Sequence, residues 1–207
     1  MDVLAALSVA LGASFAAGIN LYATVFVLGA LSRWTGFDLP ADLLILEHGG
    51  VLAVSAGLYT VEFFADKIPA VDSTWDAIHT FIRIPAGVII AATALGDVPM
   101  EFQIMSGLIG GTLATTSHAT KATTRLAAHS TGTSPVLGPI ASLFEDVVAT
   151  TTTVVAAISP IGLFILLGLL VTFCVFVLMT FWKLAKTVFR GLFGVKEKPD
   201  ISGAAPA

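Results

Sequence analysis

Apolar positions fall into six long stretches, at about residues 4–31, 48–66, 76–96, 102–125, 137–158 and 160–182. A helix needs about 20 mostly apolar residues to cross a hydrocarbon layer roughly 30 Å thick, and each stretch is near that length. Polar and breaker residues separate them: Arg33 to Pro40, Lys67 to Ser73 with Pro69, Gly96-Asp97 with Pro99, HSTGTSP at 129–135, and Ser159-Pro160. The pattern predicts an all-α polytopic membrane helix bundle of about six transmembrane helices, forming one domain over residues 1–182. Residues 183–207 read as a cytoplasmic amphipathic helix, Lys183 to Arg190, followed by a disordered tail.

Composition agrees. Of 207 residues 56% are hydrophobic and only 12% charged, with a mean hydropathy of +0.94; soluble domains carry about 25% charged residues. A net charge of -4 without a basic patch excludes nucleic acid as a partner and leaves membrane lipids. Cys174 is the only cysteine, so no intrachain disulfide can form. The first stretch has one charge, Asp2, before Arg33 and lacks a basic leader, so it reads as a retained helix rather than a cleaved signal.

Loop charge gives an orientation. With the N-terminus inside, Lys67, Arg83, Lys121, Arg125, Lys183, Lys186, Arg190, Lys196 and Lys198 fall on the cytoplasmic side and Arg33 alone outside. This predicts that both termini are cytoplasmic. Shifting residues 11–32 by 98 lays Gly12 on Gly110, Ala16 on Ala114, Leu28 on Leu126 and Asn20 on His118. Two inverted three-helix halves, 1–97 and 98–182, would follow, an arrangement common among transporters.

Ionisable groups inside these stretches are the candidate chemistry, since a central acidic side chain costs about 3 kcal/mol to insert. Ser55, Tyr59, Glu62 and Asp66 share one helix face, as do His118, Lys121, Arg125 and His129. Asp72, Asp76, His79 and Arg83 share a third, opened by the capping-box-like Ser73-x-x-Asp76, with Pro85 expected to bend or interrupt the helix beyond. Glu145 and Asp146 are adjacent, about 100° apart on a helix, and need different partners. Thr150 to Thr153 follow, able to bond back to the helix or line a shared cavity. Asn20 and Tyr22 are single polar residues in the first stretch, and Gly107-x-x-x-Gly111 permits close packing or a homo-oligomer. Each polar residue also has a bland reading: interfacial charges, snorkelling cations, or ion pairs that lock helices together.

Residues 12–34, 61–87, 117–129 and SLFEDV at 142–147 together resemble an uncharacterised bacterial multipass membrane family, over roughly residues 8–182. The resemblance implies an inner-membrane helix bundle and no particular activity. More loosely, Glu62-x-x-x-Asp66-Lys67 is similar to the Glu-x-Gly-Asp-Lys motif of cation/proton exchangers; the spacing here is longer and the glycine missing, so no ligand roles carry over.

These features favour a small transporter or channel for a cation or proton-coupled solute. Glu62, Asp66, Asp76, Glu145 and Asp146 would form its acidic site, opposed by Arg83, Lys121 and Arg125, with His79, His118 and Asn20 beside them. A lipid-headgroup-binding protein or membrane enzyme, using Asp72, Asp76, His79 and Lys67, is the second reading, and a scaffold with purely structural ion pairs the third. No cofactor is implied, although histidines and carboxylates could hold a metal ion.

Overall fold

The computed structural model describes residues 2–68 and 71–193. Seven α-helices and a short 3-10 helix make up the bundle: α1 (Val3–Ile19), α2 (Leu21–Thr35), the 3-10 segment (Ala41–Glu47), α3 (Gly49–Ala65), α4 (Val71–Thr93), α5 (Met100–Ser130), α6 (Ser134–Ile158) and α7 (Pro160–Phe193). Its polarity is inverted relative to a soluble protein. Phe81, Ile89, Leu108, Phe144, Leu169 and Phe176 point outward, whereas Glu62, Arg83 and Lys121 are buried. Water would make such an exterior aggregate; hydrocarbon solvates it. The fold is an all-α membrane helix bundle. Among the described residues, Val71–Thr93, Ser134–Ile158 and Pro160–Arg190 are long and apolar enough to cross a membrane. Val3–Ile19 and Gly49–Ala65 are shorter apolar helices.

The first apolar stretch is not a single span. It breaks at Asn20, whose extended backbone (φ -145, ψ 98) ends α1 and starts α2. Asn20 Oδ1 accepts from the Ala23 N–H at 2.9 Å, and Asn is among the best residues at this position because it satisfies an orphan helix donor. The chain then reverses. Ser8 Oγ donates to Ala156 O, while Asn20 Nδ2 donates to Asp146, so α1 runs antiparallel to α6. In α2, Tyr22 meets His79, whereas Leu28 joins Ile90 and Ala94 at the other end of α4. The α1–α2 pair is therefore a hairpin with its tip at Asn20. Each arm, 17 and 15 residues, extends only about 25 Å and 22 Å.

Two expectations change with the hairpin. Ser8 and Gly12 lie against Ala156 and Leu163 by the α6–α7 turn, so the first turns of α1 sit at the end of the bundle opposite to the last turns of α7, and a common side for these two helix ends is not what the described residues have. Inverted halves would also set α1 antiparallel to α5, but Ser117 Oγ donates to Phe15 O and Lys121 Nζ to Ile19 O, a parallel pairing. The aligned small residues reflect shared close packing rather than an inverted repeat.

Other boundaries shift for local reasons. α4 continues through Pro85, and the expected interruption is found at Asn20 instead. Asp72, rather than a Ser73–Asp76 box, takes the first-turn bonds: its Oδ1 accepts from Ser73 N at 2.5 Å. α7 runs unbroken past residue 182 to Phe193, so Lys183 to Arg190 extend the span and form no separate surface helix; residues 194–207 lie outside the described ones.

Small residues bring α1, α4 and α5 together. Val88 of α4 packs on Gly107 and Gly111, so the Gly-x-x-x-Gly pattern is consumed within the chain rather than left for a second copy. Gly110 seats against Ala91 and Ser14, and Gly87 against Ala114.

A buried charge network as the candidate site

The three helix faces identified by spacing converge. α3 contributes Glu62 and, at its end, Asp66; α4 contributes Asp72, Asp76 and Arg83; α5 contributes Lys121 and Arg125; α6 contributes Glu145. Each sits at a three- or four-residue step on a helix whose opposite face meets lipid, so burying the polar stripe leaves one place for all of them.

Arg83 is fully buried and bridges Glu62 Oε1 (2.7 Å) and Asp76 Oδ1 (3.0 Å). Arg125 bridges Asp66 Oδ2 and Glu145 Oε2, both at 2.8 Å, with Asp76 Oδ2 at 3.4 Å and Asp72 Oδ2 at 3.7 Å. Lys121 lies at the centre. Its ammonium is 3.0 Å from Asp66 Oδ2, 3.2 Å from Ile19 O, and 3.6 Å from each of Glu62 Oε1, Asp76 Oδ1 and Glu145 Oε2. Oxygens of five residues, from α1, α3, α4 and α6, thus surround a single positive charge. Lys121 and Arg125 do not snorkel.

Three cations face five carboxylates, Glu62, Asp66, Asp72, Asp76 and Glu145, so the network carries an acidic excess unless protons or another cation balance it. His129 adds a partner for Asp72 at 3.2 Å. Glu145 and Asp146 do diverge: Glu145 joins the network, while Asp146 accepts from Asn20 Nδ2 at 2.9 Å. Among the described residues Glu62 Oε2 and Asp146 Oδ2 are buried without a hydrogen-bond partner, a costly condition for a carboxylate.

The histidines flank this centre. Arg83 can only donate, so His118 Nδ1 (3.3 Å) accepts; Nε2 then donates to Thr80 Oγ1 at 2.7 Å, whose own proton goes to Asp76 O. His79 Nδ1 donates to Trp75 O, leaving Nε2 to accept from the Tyr22 hydroxyl at 2.9 Å, and its ring stacks on Trp75. His79 thus borders the network without joining its ion pairs. In the threonine run Thr153 bonds back to Ala149 O, as expected of a helical threonine.

Two cavities meet the network next to each other along the α5–α6 groove, both lined by Thr124 and Ala141. One of about 160 Å³ is lined by apolar residues including Phe15, Phe144 and Leu170, together with Lys121 and Glu145. The other, about 360 Å³, opens beside the α5–α6 turn and is lined by Asp72, Arg125, Thr131 and Ser134 among others. No three His, Cys, Asp or Glu side chains among the described residues converge as metal ligands. The basic groups occupy the space between the carboxylates.

Spacing could not supply the Ile19 carbonyl, which is free for Lys121 because the helix stops at Asn20, nor Thr80, which a helix pattern treats as a surface residue. The His129–Asp72 contact was legible only as two members of separate stripes.

Comparison with the curated proteins and with the solved structures returns no match. A family model matches residues 7–180, and the chain belongs to that family, described as a domain of unknown function (DUF4126).

Proposed function

We propose that the chain is a small transporter or channel that exchanges a cation or protons through the buried network. One observation carries this reading: the Lys121 ammonium sits within a cage of four carboxylates and a backbone carbonyl, the kind of oxygen set that a mobile cation takes. Lys121 is a tethered counter-ion for the resting site. A proton or cation arriving at Glu145 or Glu62 releases the lysine, and its departure restores the pair. The half-broken backbone at Asn20 supports the reading, because membrane transporters place freed carbonyls of interrupted helices at their ion sites. The orphaned Glu62 and Asp146 oxygens, and the cavities along the α5–α6 groove, weigh against a scaffold of complete, sealed pairs.

This reading sets the network end on the cytoplasmic side of a bacterial inner membrane, an orientation supported by Lys67, Lys183, Lys186 and Arg190 toward that end and by Arg33, bonded to Glu47 O, toward the other. The test is proton and cation flux in liposomes containing the purified protein, under imposed gradients of sodium, potassium or organic ammonium ions. Wild type drives exchange and Glu145→Gln loses it by tenfold or more. Absence of protein-dependent flux across that panel would remove the transport reading.

A further inference from the structure

Glu145 stands apart from its neighbours in the network. Its side chain keeps 13% exposure where Glu62 has 0% and Asp66 2%, and it lines the 160 Å³ cavity. Its ion pairs and hydrogen bond to Arg125 and Lys121 all end on Oε2; among the described residues Oε1 has no recorded bond. Glu145 thus brings a carboxylate with one unbonded oxygen to the edge of a chamber lined mostly by apolar residues, with Lys121 and three hydroxyl side chains among the rest. Phe15, Phe144, Val148, Leu170 and Phe173 supply the walls, with Cys174 behind them.

Size and chemistry define an occupant. An apolar protein cavity of about 150 Å³ holds a molecule the size of benzene. Glu145 Oε1 calls for a donor, best a cationic one, and aromatic walls favour a cation further. Inorganic cations would lose their hydration shell against such walls without replacement oxygens. An organic ammonium with one apolar ring or a chain of about six carbons satisfies both halves of the chamber. It is also the chemistry of Lys121 itself, an ammonium on an alkyl stem, which lines the same chamber and lies 3.6 Å from Glu145 Oε2.

We propose that the chamber between α1, α5, α6 and α7 is a binding site for a primary ammonium ion carrying a single apolar group, seated with its nitrogen on Glu145 Oε1. This rests on the cation-exchange reading and names the substrate class for it. Entry between α6 and α7 would come from the bilayer, where amphiphilic amines concentrate.

The probe is benzylammonium, titrated calorimetrically into the full chain in lipid nanodiscs, with empty discs subtracted. Ammonium chloride supplies charge without a ring, and toluene a ring without charge. Benzylammonium should bind at least tenfold more tightly than ammonium. Glu145→Gln should weaken it by tenfold or more, and Val148→Phe, which fills the chamber, should abolish it. Toluene should compete with benzylammonium in the wild-type protein, a comparison that requires no variant to fold. Benzylammonium binding that is indifferent to toluene, or equal in Glu145→Gln and wild type, overturns the site. Liposome flux separates the two ideas: amine binding without any cation–proton exchange keeps the site and removes transport, while exchange of inorganic cations with no amine binding removes this site alone.

Discussion

The same two helices, α4 and α5, are held together by opposite means at their two ends. Toward the network, Asp76, Thr80 and Arg83 meet Arg125, His118 and Lys121 through charge and hydrogen bonds. Toward the α4–α5 turn, Gly87, Ala91 and Val88 meet Ala114, Gly110 and Gly111 through bare backbone approach. A glycine contact tolerates almost no displacement, because any shift opens a void or a clash. Ion pairs among several carboxylates can exchange partners with little change in distance: Lys121 has three carboxylate oxygens at 3.6 Å beyond its nearest one. One end is a fixed joint, and the other is able to rearrange.

That contrast can be broken at either end. The largest effect is expected at Arg83→Met, which removes the closest cationic partner of the buried Glu62 and Asp76, leaves them only longer contacts to Lys121 and Arg125, and should cost about 3–5 kcal/mol of stability. Thermal unfolding in detergent would measure it, and Arg83→Met combined with Glu62→Gln should recover a substantial part. A single variant as stable as wild type would mean that water already solvates these groups. Next is Gly110→Leu at the rigid end, where even a Cβ overlaps Ala91; about 1–3 kcal/mol or more should be lost, with cation flux reduced only in proportion to folded protein. If flux instead fell far more than folding, the glycine end would also have to move in the cycle. Smallest is Asn20→Ala, losing a cap and the bond to Asp146, at about 1–2 kcal/mol by the same melt. A loss of flux larger than that melt implies would tie the hairpin tip to the ion path.

Much of the site was legible because insertion cost makes each buried charge conspicuous, and helical spacing groups such charges by face. Glu62 with Asp66, Asp76 with Arg83, and Lys121 with Arg125 were each paired by position alone, and all six meet. Hydropathy is blind to reversal. Nothing in apolar content separates a single span over 4–31 from two short helices, and Asn20 is only one of several scattered polar residues there, beside Ser8, Ser14, Tyr22 and Thr24. Pro85 misled in the opposite direction, since a packed membrane helix can satisfy the carbonyl that proline leaves free. The continuation of α7 was hidden by a change in composition at Lys183 that alters the helix's surroundings without altering its backbone.

α1 sits in the middle, touching α4, α5, α6 and α7 as well as α2. Its seat is completed by Ala156, Leu163 and Leu167, more than a hundred residues further along the chain. During synthesis α1 leaves the ribosome before α6 and α7 are made, so its socket can close only once those later helices are in place.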